Sequence, residues 1–566
     1  MRPTVEKKPI AGCAGARRSV VGRLAVAEWA LFVLSLVVAV PVQIAGGQLP
    51  NVVFVLADDL GWTDLGCQGS RYYETPNIDR LASEGMRFTH GYSCGPNCQP
   101  TRAALMTGQY GPRTGIYTVG DTNRFDWSMR PLIPVRNKTE LDPAKLTVAE
   151  VLQKRGYATG YFGKWHLGDD PKHHPLAQGF EEAVVSQGRH FRFDTTPHVD
   201  VGRDVYLADF LTDRALDFIR RNKDRPFLLW LSHFAVHSPY QAKQEKVAHF
   251  RGKPGVGGHN DPVYAAMISS LDESVGRVVK AIDDLGLGPS TLLIFSSDNG
   301  GVGGYVAAGV PAKEGVTDNA PLRGGKGMLY EGGVRVPFIF RWKDQIKPGT
   351  VCEEPIISVD VLPTLAALAG AEGPFSEKTD GLNLLPLLHG RVSSLSRDAL
   401  YWHFPGYLGS GPNIWRTTPA GAIRHGDFKL IEFFEDGRLE LYDLRCDQGQ
   451  KHNLVSERPG LAGDLHGRLK RWREEIGAPM PVRRLPRTGT AKRRSGAPRH
   501  TRAVSPLACI FHTLSSVRKG VSSRDRGICG LSGIGRPGLL CEAVEGRRFE
   551  QRDDMQRVRR FCVVAA

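Results

Sequence analysis

No two cysteines of this chain stand in the C-x-x-C spacing, and the one close pair, Cys94 and Cys98, has no second pair downstream. The thiolate framework of a structural zinc site is therefore absent. Long apolar runs are missing too. The strongest, Trp29–Val40, falls short of the roughly 20 residues that a spanning helix needs, so no stable membrane span is expected. A surplus of charge is absent where it would matter. The formal net charge is +15, but residues 483–566 hold 19 Lys+Arg against 6 Asp+Glu, and residues 1–49 hold 6 against 2. That leaves 49 basic and 51 acidic residues in 50–482. A nearly neutral body offers no basic groove for a phosphate backbone, and nucleic acid is not an expected partner.

What is present begins with an export signal. Arg17, Arg18 and Arg23 precede the apolar run, and PVQIAGGQ follows it with small residues suited to cleavage near Ala45 or Gly46. Residues 1–49 read as a leader for a periplasmic or secreted protein, with an uncleaved membrane anchor as the alternative. The long charged stretch before the run also allows a later true start. Five cysteines remain in the body, Cys67, Cys94, Cys98, Cys352 and Cys446. Five is odd, so in an exported protein at least one is unpaired or modified.

Strands and helices alternate through the first two thirds. NVVFVL (51–56), the run Tyr157–Phe162, PFLLWLS (226–232) and TLLIF (291–295) read as strands, the first of the kind buried on both faces. Leu146–Lys154, Val205–Asn222 and Tyr264–Leu285 read as helices between them. The pattern predicts an α/β fold, a large, mostly parallel sheet sandwiched by helices over residues 50–390. Beyond it, Ala422–Phe434 and Leu439–Leu444 alternate like hairpin strands around Asp436-Gly437, and Leu461–Ile476 closes as a helix. Residues 391–482 are thus expected to form a smaller α+β region with an antiparallel sheet. Residues 483–566 lose all periodicity and read as a basic disordered tail, or as translation beyond the true stop.

Polar residues collect just past the predicted strands: Asp58-Asp59, Lys164 and His166, His237, and Asp298-Asn299. Open α/β sheets bind ligands along that edge. A lone Asp-Asp after a strand is often a helix cap with a solvated neighbour. Joined by Asp298-Asn299 at another strand end, the pair offers the oxygen donors that Ca²⁺ or Mg²⁺ prefers. Cys98 lies in CQPTR, where Pro100 opens the first turn of a helix. A helix N-terminus lowers a thiol's pKa, yet a hard cation calls for oxygen at this place, not sulfur.

The stretch CQPTRAALMTG (98–108) resembles the signature of the type I sulfatases, within the alkaline-phosphatase-like superfamily. NVVFVLADDLGW, GYFGKWHLG, HSPY, FSSDNGG and LRGGKGMLYEGGVRVP follow the same family's order over about residues 50–480. The resemblance implies that Cys98 is oxidised to formylglycine by a formylglycine-generating maturation enzyme, and that the hydrated aldehyde is the nucleophile. It implies one divalent ion, calcium before magnesium, held by Asp58, Asp59, Asp298, Asn299 and the modified Cys98. Arg102 and Lys164 would hold the hydrated aldehyde and a sulfate oxygen. His237 and Lys326 would contact the ester and protonate the leaving oxygen, and His166 would take the proton of the second hydroxyl. The implied substrate is a sulfated carbohydrate or an aryl sulfate. Thr101 stands where many relatives carry serine, and Val236 where proline is frequent. The alternatives are a phosphatase or phosphodiesterase of the same superfamily, or a silent binder of sulfated glycans if Cys98 stays a thiol. Trp402, His403, Tyr407 and Trp415 are candidates for an aromatic wall or for core.

Overall fold

Alternation along Asn51–Ala57 (β1) sends Val52, Phe54 and Leu56 into one buried cluster and Val53, Val55 and Ala57 into another. A strand apolar on both sides belongs inside a helix-covered sheet. The computed structural model describes residues 49–311, 315–371, 378–411 and 413–485. The leader up to residue 48 and the basic tail from 486 lie outside the described residues.

Eight strands form the main sheet. After β1 come Met86–Phe88 (β2), Ala158–Gly163 (β3), Glu182–Val185 (β4), Phe227–Ser232 (β5), Thr291–Ser297 (β6), Phe338–Arg341 (β7) and Thr350–Cys352 (β8). Their order is β8-β2-β7-β6-β1-β5-β3-β4. Only β7 is antiparallel to its neighbours, β2 and β6. The sheet is mixed and mostly parallel, as the alternation of elements predicts. Phe54 stacks on Trp230 at 4.2 Å between ring centroids, tying β1 to β5.

Each face carries three principal helices. Pro76–Ser83 (α1), Leu207–Asn222 (α4) and Pro262–Asp284 (α5) cover the side of Val53 and Val55. Cys98–Thr107 (α2), Val148–Gln153 (α3) and Val361–Leu368 (α6) cover the side of Phe54. Capping explains where two of them begin. Thr147 accepts from the backbone of Glu150 while Glu150 accepts from that of Thr147, a reciprocal pair that satisfies two orphan donors. Asp261 caps α5 with Pro262 in its first turn. Helix α2 starts earlier than the sequence suggests: Asn97 occupies the cap position and Cys98 is the first helical residue.

The C-terminal region is an antiparallel sheet, Leu400–Phe404 (β9), Ala420–His425 (β10), Phe428–Phe433 (β11) and Leu439–Asp443 (β12), backed by Pro459–Glu475 (α7). The stretch 422–434, read from sequence as one strand, is two, because Gly426 at φ 55° turns the chain between them. Leu430, Leu441, Leu465 and Trp402 share one buried cluster with Tyr92, Cys94, Ala104 and Tyr110 of the larger region. Val482–Arg483 pairs with Leu132–Ile133, so ordered chain reaches past the expected start of the tail.

Candidate active site

The four strands β6, β1, β5 and β3 are adjacent in the sheet, and their carboxyl ends deliver the site. Backbone contact there is unusually close. Gly163 sits at φ 119°, and a Cβ on it would lie 1.8 Å from the carbonyl oxygen of Ser232. Glycine alone permits that approach, which lets Lys164 N donate to Ser232 O at 2.8 Å and aims the lysine inward.

Three carboxylates and three cations interleave at this edge. Lys164 Nζ is 2.6 Å from Asp58 Oδ2, and Lys326 Nζ is 2.8 Å from Asp59 Oδ2. Arg102 binds Asp298 Oδ2 through Nε at 2.9 Å and Nη2 at 2.7 Å, with Asp58 Oδ2 at 3.7 Å. Burial would push Asp59 up, but Lys326, His237 and Lys164 hold its carboxyl well below the usual range. The Cys98 Sγ–H points at Asp58 Oδ1, 3.5 Å away, and Asp59 Oδ1, 3.8 Å away. Cys98 is 1% exposed. Burial pushes its thiol far above the ordinary value despite Lys164 and Lys326, so the helix N-terminus does not yield a thiolate. A protonated, enclosed thiol is a poor nucleophile.

The donor set fits a hard cation. Ligand atoms of Asp58, Asp59, Cys98 and His237 all lie within 4.8 Å of one another. Asn299 donates from Nδ2 to Asp59 Oδ1 at 2.8 Å, and its Oδ1 is buried without a hydrogen-bond partner. An orphaned amide oxygen beside carboxylates is what a cation would satisfy. Asp298 stands just behind, its Oδ1 accepting from Asp59 N at 3.2 Å.

The two histidines reach the cluster from the ends of neighbouring parallel strands, His237 beyond β5 and His166 beyond β3. His237 Nε2 is 3.6 Å from Asp59 Oδ2, and its Nδ1 donates to Ser238 O at 2.6 Å. Burial first, then Lys326, brings His237 down to about 3. His166 has φ 61° and a buried Nδ1 with no partner. Burial and the charges of Lys164 and Arg102 keep it neutral, well below its ordinary pKa. Val236 follows a cis peptide bond from Ala235.

Asp58, Asp59, Cys98, Arg102, Lys164, His166, His237, Asp298, Asn299 and Lys326 therefore meet at one edge. Two contributors escaped that reading. Ser232 accepts from Arg102 Nη1 at 2.7 Å and donates to Lys164 O at 2.8 Å, and His190 Nε2 contacts His237 O at 2.8 Å. A serine closing an otherwise apolar strand was the available signal for the first; nothing local marks the second. His233 is structural, with Nε2 2.9 Å from Ser274 Oγ. The aromatic wall does not form. Trp402 is core and donates to Ser93 O, His403 contacts Pro479 O, and Tyr407 donates to Glu435. Trp415 alone of the four is half-buried.

Buried carboxylates that could hold a cation, interleaved with basic groups around one enclosed side chain, suit an ester hydrolase for tetrahedral oxyanions. A family model described as Sulfatase matches residues 50–371, and one described as N-sulphoglucosamine sulphohydrolase, C-terminal, matches 325–475. A sulfatase of Formosa agariphila is 33% identical over 519 residues, covering 77% of this chain and 90% of that protein. Mouse steryl-sulfatase is 32% identical, covering 72% and 79%. Human N-acetylgalactosamine-6-sulfatase is 34% identical, covering 63% and 68%. Among solved structures, Ps i-CgsB in complex with k-i-k-neocarrahexaose superposes with a TM-score of 0.63 at 29% identity, covering 75% of this chain and 93% of that one. The chain belongs to the sulfatase family. It is a sulfuric ester hydrolase, of a family whose chemistry generally rests on formylglycine and a metal ion.

Proposed function

We propose that Cys98 is the residue converted to formylglycine, that the ion is calcium, and that the substrate is a sulfated carbohydrate. One observation carries the residue assignment: the Cys98 side chain ends between Asp58 and Asp59, with Lys164 and Lys326 on the same carboxylates. An aldehyde hydrate there supplies a hydroxyl nucleophile where the thiol is held protonated. When bound by Asp58, Asp59, Asp298 and Asn299, calcium supplies charge neutralisation for the sulfate oxygens.

The chain's own groups do the rest. Arg102, anchored on Asp298, and Lys164, anchored on Asp58, orient the hydroxyls at residue 98 and a non-bridging sulfate oxygen. Lys326 and His237 face the bridging oxygen, and His237 gives it a proton as the ester bond to sulfur breaks. An anionic sulfate opposes the burial that depresses His237 and lifts its pKa toward working range. His166 Nδ1, neutral and unpartnered, accepts the proton of the remaining hydroxyl, so that the C–O bond to sulfate breaks and the aldehyde returns.

Sulfated sugar is favoured by the N-acetylgalactosamine-6-sulfatase and neocarrahexaose-bound relatives; the steryl-sulfatases point to sterols. The leader supports export, and a maturation enzyme is the required partner. Mass spectrometry of the Cys98 peptide from active protein, with a screen of defined sulfated saccharides against an aryl sulfate and a steryl sulfate, tests the reading. The aldehyde at residue 98 and turnover of a saccharide are expected. A wholly unmodified thiol in active protein overturns the assignment.

A further inference from the structure

Two arginines beside the pocket remain unanswered once its ion pairs are drawn. Arg124 ends the turn Thr122–Arg124, and Arg416 lies on the strand Ile414–Thr417. Arg124 Nη2 and Arg416 Nε are buried without a hydrogen-bond partner, and among the described residues neither side chain has an ion pair. By contrast Arg113, also half-buried, is paired with Asp380, and the buried Arg341 with Glu84 and Asp283. Burying a guanidinium without its oxygens is costly.

Both are tied to the catalytic segments. Arg124 lies against Gly120, where a Cβ would meet its Cδ at 3.7 Å, and Gly120 N donates to Gln99 Oε1 at 3.2 Å, next to Cys98. Arg416 lies against Gly327, where a Cβ would meet its Cδ at 3.6 Å, next to Lys326. Its guanidinium carbon stands 4.6 Å from the ring centroid of Tyr305, whose hydroxyl donates to Lys326 O at 3.0 Å. The two cations feel each other: burial brings Arg124 down to about 10, the Cys98 sulfur opposes this, and Arg416 adds to it. Phe125 and Trp415, their chain neighbours, meet at 6.2 Å between ring centroids, so the two segments adjoin; like charges held near each other, with open donors, form a receptor for an anion.

We propose that Arg124 and Arg416 form a second oxyanion subsite, which binds a further sulfate or carboxylate group of the substrate while the scissile sulfate sits at residue 98. The inference rests on the sulfatase reading of the pocket and narrows its substrates to saccharides with at least two anionic groups. Neither arginine belongs to the set that holds the first sulfate.

The test compares three saccharides that share one sulfated sugar and differ in the second group: none, a sulfate or a carboxylate. With formylglycine verified, kcat/KM is expected to be about tenfold or more higher for one of the dianionic substrates, mostly through KM, since each well-made charge-assisted contact is strong. The sulfate and carboxylate arms tell which oxyanion is taken. Arg124→Ala and Arg416→Ala should each cut that preference about fivefold or more, with Arg124→Lys and Arg416→Lys restoring part of it. No preference in the parent enzyme, or a preference unchanged in both alanine variants, overturns the subsite. Calorimetric binding of the same saccharides to folded Cys98→Ala protein needs no turnover, and the alanine variants should erase the difference there too. If enzyme carrying the aldehyde hydrolyses no sulfate ester, the sulfatase reading fails, and the calorimetry still decides the arginines.

Discussion

At the scale of single residues, the enclosed thiol of Cys98 makes a sharp prediction. Cys98→Ala should abolish turnover. Cys98→Ser should transfer sulfate once and stall, because one hydroxyl can attack but no second is left to expel the product. Intact-mass measurement after incubation with substrate should show the serine variant carrying a sulfuryl group; sustained turnover by it would refute the elimination step. The carboxylates predict the response to chelation. Stripping divalent ions should lower activity at least about a hundredfold and lower the melting temperature, since an ion at a hundred times its Kd adds about 2.7 kcal/mol. Calcium should restore both better than magnesium, read by assay and thermal melt. The carboxylates were legible in the sequence because each follows a strand, and Cys98 because it stands in a family motif at the opening of a helix. Ser232 and His190 were not, since their roles depend on contacts between strands distant in sequence.

At the scale of elements, precision comes from the fit of β3 against β5. Gly163→Ala would place a Cβ on the backbone oxygen of Ser232 in a conformation that only glycine adopts freely. A loss of about 2–4 kcal/mol is expected, with a larger fall in kcat than in KM as Lys164 is displaced. Denaturant unfolding and steady-state kinetics measure the two. The long central strands could be read from sequence because both faces are apolar. The short β7 and β8 could not, since three or four residues carry too little periodicity, and nothing local fixes β7 as antiparallel. Likewise the join between β10 and β11 rests on one glycine within a run that alternates without interruption.

At the scale of the whole molecule, a buried ion network links Tyr92 and Glu331 of the larger region to the C-terminal sheet. Glu331 accepts from Lys429 Nζ at 2.8 Å and from the Tyr92 hydroxyl at 2.7 Å. Burial would raise Glu331, but Lys429, then Arg335 and Arg424, bring it from 4.5 down to about 2. A carboxyl whose folded pKa is depressed stabilises the fold fully above its unfolded value, and that share is lost as pH falls from about 4.5 toward 2. Glu331→Gln should remove this acid-limb slope and cost about 3–5 kcal/mol at neutral pH, because Lys429 is left buried and unpaired. Melting curves from pH 3 to 7 would show both. Removal of residues 486–566, by contrast, should leave melting temperature and activity unchanged in the same assays; insoluble protein would contradict that.

The apolar cluster common to Trp402, Leu430 and Leu441 on one side and Tyr92, Cys94, Ala104 and Tyr110 on the other has an evolutionary corollary. Ala104 lies on the helix that begins with Cys98, so the C-terminal sheet forms part of the wall behind that helix. Chimeras that exchange this sheet between relatives must carry the matching Tyr92-to-Tyr110 surface with it, and lineages altering one partner are constrained to co-vary the other.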